Sequence, residues 1–212
     1  MKAKKSISIL IAGILAAATA LSASAQTIAG TLESGEKSGN TEVHAKIEAP
    51  VPGEVSYIVT IPDSVDFGTL QQPETDTDSN KYLSCDVIAT QIKNFNIKQT
   101  VKVCVKDSTS TDGMFYIAQK GAEAPFKIKY DVYNHDVNDE NIDQYTPLSD
   151  DTLDLTENGY HLCSFGSGSE GTTQKVTLVL NQRALYNKNI NDIAGDYSGT
   201  MVFHTSINTL GA

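Results

Sequence analysis

Apolar and polar residues alternate with a period of two along most of this chain, the pattern of strands with one buried face. In Glu42–Glu48, Val43, Ala45 and Ile47 alternate with Glu42, His44, Lys46 and Glu48. Val55, Tyr57, Val59 and Ile61 mark the next strand, closed by Pro62-Asp63, and Phe67–Leu70 reads as a short continuation after a kink. Further strands are expected at Tyr82–Ala89, Gln99–Val105, Met114–Ala118 and Phe126–Tyr133, the last with Phe126, Ile128, Tyr130 and Val132 on one face. Tyr160–Phe165, Lys175–Leu180 and Tyr197–Ile207 complete the series. Gln71–Lys81 and Asn134–Asp150 are polar surface loops, and Gly166–Gly171 is a Gly/Ser turn. One helical turn is expected around Ala184–Asn187, and Gly199 inside the last strand signals a bulge or a close backbone approach. No strand is followed by a long amphipathic helix, which argues against parallel βαβ units. The expected fold is all-β: a single immunoglobulin-like antiparallel β-sandwich of about nine or ten strands over residues 41–212.

The alternation is broken at the N-terminus. Lys2, Lys4 and Lys5 precede an uncharged stretch from Ile7 to Leu21, and Ala23-Ser24-Ala25 offers a small-x-small cleavage site. These regions, in this order, make residues 1–25 a secretory signal peptide with Gln26 as the mature N-terminus. The apolar run is too short for a spanning helix of about 20 residues. Residues 26–40, with Gly30, Gly35 and Gly39, read as a flexible lead-in, or as an edge strand over Thr27–Leu32. No sorting motif or hydrophobic tail occurs in Ser206–Ala212, so the expected location is secreted or loosely cell-surface associated, with no membrane insertion after signal cleavage.

Charge narrows the partners. The leader removes three lysines and no acid, so a formal charge of −10 becomes −13 in the mature chain. Arg183 is the sole arginine, and nucleic acid is excluded because phosphate binding needs clustered cations. Cys85, Cys104 and Cys163 allow at most one disulfide. A Cys85–Cys104 bridge between neighbouring strands and three reduced thiols both fit, with Cys104 on the lysine-bearing, more exposed face of its strand.

Candidate chemistry is sparse. His44, His135, His161 and His204 are isolated in sequence and lack the spacing of a zinc site. Gly166-Ser167-Gly168 is a flexible turn, unlike the strained elbow that presents a nucleophilic serine. His161 and Cys163, two apart on a strand, would share a face, yet nothing in the sequence lowers the thiol pKa. Asp76-x-Asp78-x-Asn80 begins like a calcium loop, but Lys81 and Val87 stand where glycine and glutamate are required. Asp136, Asn138, Asp139, Glu140 and Asp143 supply hard oxygen donors in no recognised register. No catalytic, cofactor or metal residue is assigned, and the chain is expected not to be an enzyme.

The segment Ser56–Gly68 (SYIVTIPDSVDFG) and the closing Ala194–Phe203 (AGDYSGTMVF) resemble the first core strands and the terminal strand of small secreted, adhesin-like β-sandwich surface proteins of Gram-positive gut bacteria. A similar ending occurs in adhesin and fimbrial-subunit sandwiches. The resemblance implies that Tyr197 and Phe203 fill the core and that Gly195 and Gly199 shape the strand. With no tryptophan, the chain lacks the Trp-x-Leu motif by which cell-wall-binding relatives attach. In size and style it is also similar to secreted proteins of gut Firmicutes that bind host immunoglobulin as superantigens. The expected function is that of a non-enzymatic binding protein recognising a host or bacterial-surface macromolecule through a protein partner. Immunoglobulin binding is the specific form of it, and a structural subunit of a surface assembly is the alternative.

Overall fold

The computed structural model describes residues 25–31, 37–39, 53–150 and 155–210. The leader through Ser24, Ala23 included, and the expected Glu42–Glu48 strand lie outside the described residues. Twelve strands are described, in chain order β1 (Ala25–Thr31), β2 (Lys37–Gly39), β3 (Ser56–Pro62), β4 (Asn80–Lys93), β5 (Gln99–Asp107), β6 (Phe115–Gln119), β7 (Lys127–Tyr133), β8 (Leu155–Thr156), β9 (Gly159–Gly166), β10 (Thr173–Asn181), β11 (Tyr197–Ser198) and β12 (Met201–Thr209). β8 and β11 have only two residues each, leaving ten longer strands. The protein is all-β, built from two antiparallel sheets ordered β1-β3-β4-β10-β7-β6-β11 and β2-β12-β5-β9-β8. Among the described residues no helix is long and apolar enough to cross a membrane.

Period-two alternation is what buries the facing surfaces. Tyr57, Val59 and Ile61 of β3, Val101, Val103 and Val105 of β5, and Ile128, Tyr130 and Val132 of β7 enter one shared core. Each such side chain contributes about 1.5–3 kcal/mol on leaving water. The Tyr57 hydroxyl meets Thr205 Oγ1 at 2.9 Å, joining the two sheets through the core. Across the other half, Phe115 lies 6.1 Å from the Tyr160 ring. The sheets are also tied where the chain passes from β5 to β6: Asp107 Oδ1 accepts from Thr109 N, Thr109 Oγ1 and Ser110 N, and Oδ2 accepts from Tyr116 N.

The structure corrects three local expectations. Phe67–Leu70 is not a strand. Asp66 Oδ1 accepts from Gly68 N, and Lys81 Nζ donates to Phe67 O and Thr69 O, so the backbone groups a ladder would use are bent into a loop. The segment read as one strand from Tyr197 to Ile207 is two: β11 pairs with β6 in the larger sheet, and β12 pairs with β5 in the smaller. Gly199 sits at this crossing, where a Cβ would lie 2.2 Å from Tyr116 O, the close approach its position predicts. The helical turn lies earlier, at Gln182–Leu185, and a second turn follows at Ile190–Ile193; Asn181 and Asn189 cap them by accepting from Arg183 N and Asn191 N.

The Asn134–Asp150 loop runs over the outside of the larger sheet and is partly buried. Val137 joins Tyr133 and Val179 in a second apolar cluster, flanked by Tyr82, Ile142 and Tyr145. This is why β10 is buried on both faces from Val176 to Leu180.

Candidate functional site

Two β-bulges decide which chemistry the sheets assemble. In the β5–β9 ladder Val103 pairs with Cys163 and Cys104 with His161, leaving Leu162 as the extra residue. A bulge of this kind shifts the side-chain alternation by one position. Tyr160 and Leu162 therefore face the core before the bulge, and Cys163 and Phe165 after it. His161 and Ser164 stay outside, with Nε2 and Oγ 3.0 Å apart. Cys163 and His161 thus point to opposite sides of the sheet, and the expected shared face does not exist. Burial, followed by the neighbouring Cys104, pushes the Cys163 thiol up to about 12, further from a nucleophilic thiolate. Thr90 is the corresponding extra residue between β3 and β4.

All three cysteines are thiols. Cys85 and Cys104 lie on β4 and β5, which belong to different sheets, so the considered bridge has no neighbouring-strand geometry. Cys104 does lie on the lysine-bearing face, but it is buried rather than exposed. It is in register with His204 on one side and His161 on the other. His135 stacks on Tyr145 with centroids 4.2 Å apart. His44 lies outside the described residues.

The acidic loops use their oxygens internally. Asp76 and Asp78 both face Arg183, at 2.7 and 3.5 Å. Asp139 Oδ1 accepts from the Tyr82 hydroxyl at 2.8 Å, and Asp136 Oδ1 from Ser84 Oγ at 3.2 Å, fastening the 134–145 loop to β4. Among the described residues no group of three His, Cys, Asp or Glu side chains is arranged to hold a metal ion.

A concavity lies elsewhere, at the end of the sheets where β3 and β6 stop and β12 begins. It is a cleft of about 860 Å³. Its floor is the core itself, through Ile61, Ile128, Leu178 and Phe203. One wall is the 62–72 loop, which contributes Val65, Phe67 and Leu70; the other is formed by Ile193, Tyr197 and Met201. Both walls are braced by side chains bonding to backbone. Gln72 Nε2 donates to Leu185 O and Lys188 O, each at 2.8 Å, and Gln71 N donates to Gln182 Oε1 at 2.7 Å. On the other side Gln119 Nε2 donates to Ala194 O at 2.9 Å, and the Tyr197 hydroxyl to Ile193 O at 2.6 Å. Asp63, Asp66, Lys120 and Asp196 supply the charged part of the lining. The sequence flagged Tyr197 and Phe203 as core residues but gave no sign of the cleft, whose lining is drawn from separate stretches between residues 61 and 203.

Of the expected processing residues, Ala25 and Gln26 are the first two of β1, in register with Pro62 and Ile61 beside the cleft. Comparison with protein-family models, with curated proteins and with solved structures finds no match.

Proposed function

We propose that this is an exported, non-enzymatic, adhesin-like binding protein that recognises a macromolecule of a host or bacterial surface and works secreted or loosely surface-associated. The observation that carries the reading is the pair of braced loops at one end of a rigid two-sheet frame, flanking an open apolar cleft. Loops held this way present side chains with little entropy left to lose on binding, which favours recognition. The one nucleophile–base pair suggested by sequence is separated by the bulge at Leu162, which weighs against hydrolysis. Immunoglobulin is the first partner to test. IgA and IgM titrated against the immobilised protein are expected to give saturable binding, and a parallel pulldown from intestinal secretions and bacterial surface extracts covers other partners. Absence of a specific partner in both would overturn the proposal.

A structural-subunit reading has one observation of its own: β1 is a terminal strand at the edge of the larger sheet, paired to β3. Exchange of that strand between copies predicts oligomers in the purified protein. A monomer at all concentrations removes this alternative.

A further inference from the structure

We propose that the cleft between the 62–72 and 193–201 segments is a binding site for a cationic amphiphile: an alkyl or aryl body inserted between the walls, with one ammonium-type group at the rim. This goes beyond the macromolecular partner proposed above and does not depend on it. Three observations point to this class of ligand. First, the cleft volume of about 860 Å³ falls in the range of small-molecule pockets, roughly 300–1,000 Å³. Second, the walls present partly buried apolar side chains, Val65, Phe67, Leu70, Tyr197 and Met201, above a floor of Ile128, Leu178 and Phe203 that is closed to water. A slender apolar chain lying between the walls covers these side chains. Each methylene it buries adds about fourfold in affinity.

Third, the charges select the head group. Asp63, Asp66 and Asp196 outnumber Lys120 in the lining. Asp66 spends one oxygen on Gly68 N, whereas Asp63 and Asp196 have no ion pair among the described residues. A carboxylate or sulfate head would therefore be repelled, in a chain whose formal charge is already −10. An ammonium head is attracted. Buried tail and acidic rim act on the two ends of one molecule, so the site discriminates among amphiphiles of equal length.

Calorimetric titration of the purified protein with decylammonium, decanol and decanoate, each below its micelle concentration in low-salt buffer, tests the proposal. The expected result is one saturable site per chain, with decylammonium bound at least about tenfold more tightly than decanoate and decanol between them. The preference shrinks at high salt. Asp63→Asn combined with Asp196→Asn brings the ammonium-to-carboxylate ratio towards one while leaving decanol unchanged. Val65→Trp fills the cleft and weakens all three ligands. No saturable binding, a decanoate affinity equal to or above that of decylammonium, or an unchanged ratio in the double variant overturns the proposal. Because Asp63 and Asp196 lie outside the core, that variant decides the matter even if Val65→Trp fails to fold.

Discussion

Thr177 has no exposed surface, and its hydroxyl faces the 134–145 loop, where it serves two backbone partners. It donates to His135 O at 2.8 Å and accepts from Val137 N at 3.0 Å. Threonine and valine have nearly the same shape, so Thr177→Val keeps the packing and strands both backbone groups. Stability is expected to fall by about 1–3 kcal/mol in a urea titration, with faster hydrogen exchange at the Val137 amide. An unchanged midpoint would show that water replaces the hydroxyl. The position also shows a limit of sequence reading at this scale. Alternation marked Val176, Leu178 and Leu180 as inward, and they are; it could not show that Thr177 and Val179 are buried on the opposite face. That burial comes from a polar loop of Asn and Asp residues whose few apolar members, Val137 and Ile142, meet the sheet only after folding.

Strands were legible wherever burial on one face imposed a period of two, and they became illegible where the ladder slipped. The extra residues Thr90 and Leu162 leave no mark in composition, yet the second decides that Cys163 faces the core and His161 does not. Sequence order also gave no reason to place β4 and β5 in different sheets, because a short connection such as 94–98 serves a hairpin or a sheet-to-sheet corner equally well. The β11–β12 crossing was read as one strand since its alternation continues through it; only Gly199 hinted at the break. The glycine is required there by a contact, and its backbone conformation is ordinary. A Cβ would stand 2.2 Å from Tyr116 O and 3.2 Å from its carbonyl carbon, both backbone atoms that cannot swing aside. Gly199→Ala is expected to push β11 off β6 and cost about 2–4 kcal/mol. Because β11 and Tyr197 form one wall of the cleft, ligand affinity should fall as well. A variant with wild-type stability would mean that the crossing relaxes without strain.

Taken as a whole, the molecule holds two of its thiols, Cys85 and Cys163, where they do not ionise readily, and this shapes how it responds to alkali. Burial, and then Asp86, raises Cys85 to about 11; burial and Cys104 raise Cys163 to about 12. A thiol is charged only when deprotonated, so below its ordinary value near 9 both folded and unfolded chains keep the proton and stability has no slope from this source. Above that value the unfolded chain releases its thiol protons while the folded chain holds them. Stability is therefore lost as pH rises from about 9 towards the folded values, at up to about 1.4 kcal/mol per pH unit for the buried Cys163. Burial raises Tyr57, Tyr130 and Tyr133 as well, which adds the same sign of effect above pH 10. From pH 8 to 10 unfolded tyrosines ionise by no more than about half, so the thiols dominate, and comparison with a cysteine variant isolates one thiol's share. Urea midpoints measured across it should decline for the wild-type protein and decline less steeply for Cys163→Ala, whose absolute stability at pH 7 is lower because a cavity replaces the sulfur. A flat wild-type profile over that window, or an equal slope in the variant, would show that Cys163 titrates as freely in the folded protein as in the unfolded one.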